Sequence, residues 1–246
     1  RFRLRFRAPA SRPRGQEGVS RFGLAAFCGT FPAVWTRRPR LRTMADGTFP
    51  RRDLRRVSLR RKGVLTMVSI VRSPNPILNT VCEPCELDDK SLRKLARQMA
   101  KAMYKNDGCG LAAPQLGVTK RLVVVDCDQE DGEQNPLVLV NPVLVETQGD
   151  PVVEGEGCLS CPGISVPIAR PPFARVRYFD LDGEEWEIEG DGLLGRCLQH
   201  ELDHLDGVTM FERCDPLARI QALRDYELAL AAGARPGETS VEARVR

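Results

Sequence analysis

The chain has 246 residues, 42% of them apolar and 28% charged, with a formal net charge of +4. That is enough apolar material for one large domain or two small ones, and no uncharged apolar run reaches membrane-spanning length, so the chain reads as a soluble globular protein. Nine cysteines scattered over this length fit reduced thiols better than the disulfide framework of a small secreted domain.

Charge divides the chain. Residues 1–66 hold seventeen Arg and one Lys against Glu17, Asp46 and Asp53, a surplus of 15 that leaves about −11 for the remainder. This Arg-, Pro- and Gly-rich head lacks sustained apolar periodicity and is expected to be a disordered basic extension. Three readings compete for it: an artefact of gene-start choice, a transit peptide, and a tail that binds nucleic acid. The artefact is favoured, with the functional protein starting at Met67, because the chain opens on Arg1, uses Arg almost to the exclusion of Lys, and changes character at Met67. The expected organisation is the extension 1–66, one catalytic domain over 67–232, and a polar tail over 233–246.

Past Met67 the pattern becomes orderly. In LDDKSLRKLARQMAKAMYKNDG (87–108), Leu92, Leu95, Ala96, Met99 and Met103 fall at helical spacing, with Asp88 or Asp89 as N-cap and Gly108 past the end. Strands are expected at RLVVVDCD (121–128), at LVLV with VLVE (137–146), at FARVRYFDL (173–181) and at EEWEIEG (184–190), separated by turn residues. A second helix should run from Asp191, as N-cap, to Gly207. A third is expected in DPLARIQALRDYELALAAG, with Leu217, Ile220, Leu223 and Leu228 along one face. The fold class is α+β: mainly antiparallel sheets around the second helix, flanked by an N-terminal amphipathic and a C-terminal helix. There are no internal repeats.

The second helix carries QHELDH (199–204), which holds both histidines of the chain. Residues four apart on a helix differ by about 40° around the axis and about 6 Å along it, so His200 and His204 share a face and can share an ion. Glu201 points aside, placed for proton transfer rather than ligation. Two histidines leave a divalent cation short of a ligand, and the third must be Cys, Asp or Glu. Downstream candidates are Asp206, Glu212, Cys214, Asp215 and Glu227; upstream, Cys158 stands in a Gly-bracketed turn and is the better one.

Three motifs, GCGLAAPQ (108–115), EGCLS (156–160) and QHELDH, stand in an order that resembles the peptide deformylases. The resemblance covers Met67 to the third helix. It implies that Cys158, His200 and His204 bind the metal, that Glu201 is the general acid/base, and that Gln115 and the Leu159 backbone N–H donate to the oxyanion. It further implies that Gly110, Leu193 and Cys197 shape a methionine pocket and that Arg170 pairs with Asp203. The implied reaction removes the formyl group from the N-terminal formylmethionine of new proteins. The implied cofactor is one divalent ion per chain, Fe²⁺, with Zn²⁺, Ni²⁺ or Co²⁺ substitutable. Expected partners are formylmethionyl nascent polypeptides and, through them, the ribosome, with neither a membrane nor direct nucleic-acid binding; the expected address is the bacterial cytoplasm, or an organelle if the head is a leader. Cys109, where the family often has an aliphatic residue, and Cys161 are read as oxidation liabilities. Two rivals remain. One is a four-cysteine zinc module built from Cys82, Cys85, Cys158 and Cys161, and the other is an HExxH zinc protease.

Overall fold

The computed structural model describes Arg5–Arg7, 69–129 and 132–240. The basic extension expected over 1–66 therefore lies outside the described residues except for Arg5–Arg7, which form a strand, β1. The other elements are α1 (Leu92–Lys105), β2 (Gly110–Ala112), β3 (Leu122–Val125), β4 (Leu137–Gln148), β5 (Val152–Cys158), β6 (Cys161–Arg170), β7 (Phe173–Phe179), β8 (Glu185–Gly190), α2 (Gly192–Leu205), α3 (Met210–Arg213) and α4 (Pro216–Ala231). Six strands make one antiparallel sheet in the order β1-β8-β7-β4-β3-β2, and β5 with β6 makes a separate antiparallel hairpin. The architecture is α+β. No helix among the described residues is long and apolar enough to cross a membrane.

The run Leu-Val-Val-Val of β3 shows why the sheet lies between helices. Leu122 and Val124 pack with Met99 and Met103 of α1, whereas Val123 and Val125 pack with Leu198 and Leu202 of α2. A strand covered on both faces needs an apolar side chain at every position, so its sequence does not alternate. Helix α1 begins at Leu92, later than an Asp88 or Asp89 cap would place it. Asp89 instead accepts the Ser91 N–H in a turn and pairs with Lys120.

Helix α2 ends where glycine allows it. The chain turns at Gly207 with φ +73°, and the Gly207 N–H reaches the His204 carbonyl. A Cβ there would meet Asn79 and Thr80 backbone within about 3 Å, so the position needs glycine on two grounds.

The third helix corrects the sequence expectation. Leu217, Ile220, Leu223 and Leu228 are 79%, 54%, 41% and 69% exposed, and α4 buries Ala222, Tyr226 and Ala229 instead. These pack against Ile164, Val166 and Ile168 of β6. Small residues let the helix approach the hairpin closely, and the leucine stripe faces outward.

Candidate active site

Three segments converge. Helix α2 supplies His200, Glu201 and His204; the β5–β6 turn supplies Cys158 and Leu159; the 3₁₀ turn after β2 supplies Gln115. The ligand atoms of Cys158, His200 and His204 all lie within 4.8 Å of one another, with Cys158 Sγ 3.2 Å from His204 Nε2. The two imidazoles stand edge to face, 4.9 Å between centroids. A hydrogen bond from the Cys161 thiol, with charge attraction from His204, holds the Cys158 thiol well below its usual range against the effect of burial. A thiolate beside two imidazoles is the donor set of a transition-metal site.

Two further observations fit a cation. His200 Nδ1 lies 2.9 Å from Glu156 Oε2, so a carboxylate fixes the ring and leaves Nε2 as the donor atom. Glu201 is buried with Oε2 lacking a hydrogen-bond partner, which is rare for a carboxylate oxygen in a protein interior. Burial raises the Glu201 carboxyl to about 7, with His200 and His204 pulling the other way. That is where a group exchanging protons at neutral pH works best.

Gln115 is locked. Its Oε1 accepts the Ala112 N–H at 2.8 Å, which turns Nε2 toward Ser160 Oγ at 3.3 Å and Cys158 Sγ at 3.5 Å. Leu159 anchors the turn by burying its side chain among the α1 residues. Gly110, Leu193 and Cys197 line a cavity of about 240 Å³ that also reaches Gln115, Cys158, His200 and Glu201. A Cβ on Gly110 would stand 2.5 Å from Glu201 Oε1, so only glycine leaves the carboxylate its place.

Arg170 and Asp203 are a buried pair rather than two solvated charges: Arg170 Nη1 donates to Asp203 Oδ2 at 2.8 Å, and the Arg170 side chain is 4% exposed. The network extends beyond the sequence expectation. Glu156 accepts from Arg170 Nε at 2.6 Å and from Arg196 Nη1 at 2.8 Å, and Arg213 also donates to Asp203. Burial alone would raise the Glu156 carboxyl; bonds from His200 and Arg170 outweigh it and hold it at about 2. Glu156, Arg196 and Arg213 were not singled out from sequence, although Glu156 opens the EGCLS motif.

Four of the other ligand candidates are engaged elsewhere, and Glu227 lies exposed on α4. Asp206 pairs with Arg121, Glu212 caps α3 through Thr209, the Cys214 thiol bonds the Phe211 carbonyl, and Asp215 caps α4. Cys82 and Cys85 direct their thiols to the Thr80 and Arg121 carbonyls, and no metal-ligating group among the described residues joins them to Cys158. The segment expected as a polar tail packs back: Ala234 is buried against the hairpin, the Gly163 N–H donates to the Glu238 carbonyl at 2.7 Å, and Gly237, Glu238 and Thr239 line the cavity.

Several known proteins resemble this chain. The family model described as Polypeptide deformylase matches residues 67–219. A peptide deformylase of Rhizobium meliloti is 41% identical over 165 residues, covering 67% of this chain and 95% of that protein. Peptide deformylase 2 of Gloeobacter violaceus is 50% identical over 124 residues, 50% of this chain and 66% of its own. The crystal structure of a peptide deformylase from Legionella pneumophila superposes with a TM-score of 0.62 at 38% identity, covering 66% of this chain and 95% of that one. A family match over more than half the sequence, with relatives aligned along nearly their whole length, makes this chain a member of the peptide deformylase family.

Proposed function

We propose that Cys158, His200 and His204 hold one divalent cation, Fe²⁺ in the cell, and that Glu201 is the general acid/base beside it. Peptide deformylases are metal-dependent hydrolases that remove the formyl group from the N-terminal formylmethionine of newly made proteins, and that is the activity of this chain. The observation that carries the site assignment is the convergence of one thiolate and two imidazoles next to a buried carboxylate with an unpartnered oxygen.

When bound, the cation supplies Lewis acidity, which can lower the pKa of water from 15.7 to about 7. Glu201 takes the proton of the attacking water and delivers it to the departing amine, a role its elevated pKa suits. Negative charge growing on the formyl oxygen meets the Gln115 amide, whose orientation Ala112 has already fixed, and the Leu159 backbone N–H. Leu193, Cys197 and the Gly110 backbone bound the methionine pocket. Arg170, through Asp203, ties the metal helix to β6.

The catalytic domain proposed is 67–232 together with the following segment to Thr239, which lines the cavity, and Arg5–Arg7 of the basic head add a strand to its sheet through β8. The substrate is a nascent chain, so contact with the ribosome and a bacterial cytoplasmic address belong to the same proposal. The test is formate release from a formyl-Met peptide by anaerobically prepared, Fe²⁺-loaded protein, beside Glu201→Ala and an unformylated peptide. Formate from the wild type, with near abolition in a Glu201→Ala protein that still binds metal, is the expected result. A folded, metal-loaded wild type releasing no formate would refute it.

A further inference from the structure

Three other thiols meet beside the cavity. Cys109 lies just before β2, Cys127 just after β3, and Cys197 on α2. The antiparallel register Gly110↔Val125 sets Cys109 across from the end of β3, where the Asp126 N–H donates to the Cys109 carbonyl at 2.8 Å. The loop beyond is held as well: Asp126 accepts the Tyr104 hydroxyl and the Asn135 N–H, and Gln129 donates to the Gly108 carbonyl. Cys197 comes from the opposite side because α2 packs across β2 and β3. The three sulfurs all lie within 4.8 Å of one another, and Cys109 Sγ and Cys197 Sγ are 3.9 Å apart.

We propose that Cys109, Cys127 and Cys197 form a second cation site, a trigonal thiolate site for Cu(I), distinct from the cysteine–histidine centre. A metal–sulfur bond of about 2.3 Å places trigonal ligand sulfurs roughly 4.0 Å apart, close to the spacing already present. Thiolates are soft donors that suit Cu(I) as well as Zn²⁺ and Fe–S clusters, and three of them with no His, Asp or Glu joining the group among the described residues match the trigonal coordination that Cu(I) accepts and a four-coordinate Zn²⁺ does not. An ion has a route in, because Cys109 and Cys197 line the cavity and Cys109 and Cys127 are only half-buried. The ordinary alternative is three reduced thiols, with Cys127 and Cys197 donating to the Cys109 carbonyl at 3.9 and 3.7 Å and Cys109 facing Cys197, contacts that cation binding would replace. Binding exchanges the thiol protons for the cation and involves no change of oxidation state.

The site would govern the reaction next to it. A Cβ on Gly110 would lie 2.7 Å from Cys197 Sγ and 2.5 Å from Glu201 Oε1, so the thiol cluster and the carboxylate flank the same backbone position. Copper held there crowds the methionine pocket and inhibits the enzyme.

The test uses the full chain with zinc in the cysteine–histidine centre, kept reduced and anaerobic. It is titrated with Cu(I) delivered from a weak chelator, following the copper–thiolate absorption band and the copper and zinc content after desalting. Wild type should take up one Cu(I) per chain while keeping its zinc, and formate release should fall. Cys127→Ser and Cys127→Ala, at a position that does not line the cavity, should bind Cu(I) at least about 10-fold more weakly while keeping copper-free activity and resisting copper inhibition. A circular dichroism melt confirms that each variant is folded, and Cys109→Val gives an independent removal of one ligand. No added copper, equal uptake by wild type and variants, or copper that displaces zinc one for one would each overturn the proposal. Metal content is read separately from formate, so an inactive protein would count against the deformylase reading without deciding the copper site.

Discussion

Replacing Glu156 by Gln keeps the shape of the side chain and removes its charge. Its two oxygens accept from Arg170 Nε and Nη2 at 2.6 and 3.0 Å, from Arg196 Nη1 at 2.8 Å, and face His200 Nδ1 at 2.9 Å. Breaking a buried ion pair from one side costs about 3–5 kcal/mol, because the partner charges stay buried without compensation. In a domain of this size each kcal/mol moves the melting temperature by roughly 2–4 °C, so the metal-free variant should melt about 6–20 °C lower. Acid should reproduce the loss. The Glu156 carboxyl is held at about 2 against an ordinary 4.5, so its contribution, about 3 kcal/mol, is complete above pH 4.5 and disappears as pH falls toward 2. The melting temperatures of wild type and Glu156→Gln, compared at equal pH, should therefore converge over that window. Because Glu156 also orients His200, a chelator competition should show metal affinity reduced about 10–100-fold. The reasoning fails if the variant melts within about 2 °C of wild type at neutral pH and binds metal equally well.

Gly110→Ala should lower kcat about 100-fold, since a methyl 2.5 Å from Glu201 Oε1 must displace the carboxylate; steady-state rates unchanged within a factor of three would contradict this. Gln115→Leu removes one proposed oxyanion donor and should reduce kcat by about 10²–10³ with little effect on KM, and a loss confined to KM would assign Gln115 to binding instead. On α4, Tyr226→Ala should cost about 3–5 kcal/mol in urea unfolding, because the ring is buried and its hydroxyl bonds the Ser73 carbonyl at 2.8 Å. Leu217→Ser, at a site 79% exposed, should change stability by less than about 0.5 kcal/mol; the reverse ranking would show the outer face to be the packed one.

What sequence makes legible depends on whether the signal is local. The histidine pair is readable because helix geometry alone puts residues four apart on one face, and α2 spans Gly192–Leu205 where flanking Asp191 and Gly207 suggest it should. The strand at β3 is readable from its apolar run, though the run does not say that helices cover both faces. Helix α4 shows the limit: Leu217, Ile220, Leu223 and Leu228 suggest a stripe, but the docking face is chosen by the close approach that Ala222 and Ala229 permit. Arg196 and Glu156 are forty residues apart in sequence, and nothing in either neighbourhood announces the contact. The three-thiol cluster is hidden for the same reason, since Cys109, Cys127 and Cys197 meet only once β2, β3 and α2 are assembled.

The segment Gly237–Thr239 gives the cavity a wall made from the last part of the described chain. Thr239 sits so close to Gly157 that a Cβ there would lie 2.6 Å from its methyl group. Bulk added at Thr239 would therefore stand at the edge of the opening that a substrate must use. Thr239→Trp should accordingly raise KM for long peptides more than for short ones, and Thr239→Ala should leave the ratio unchanged.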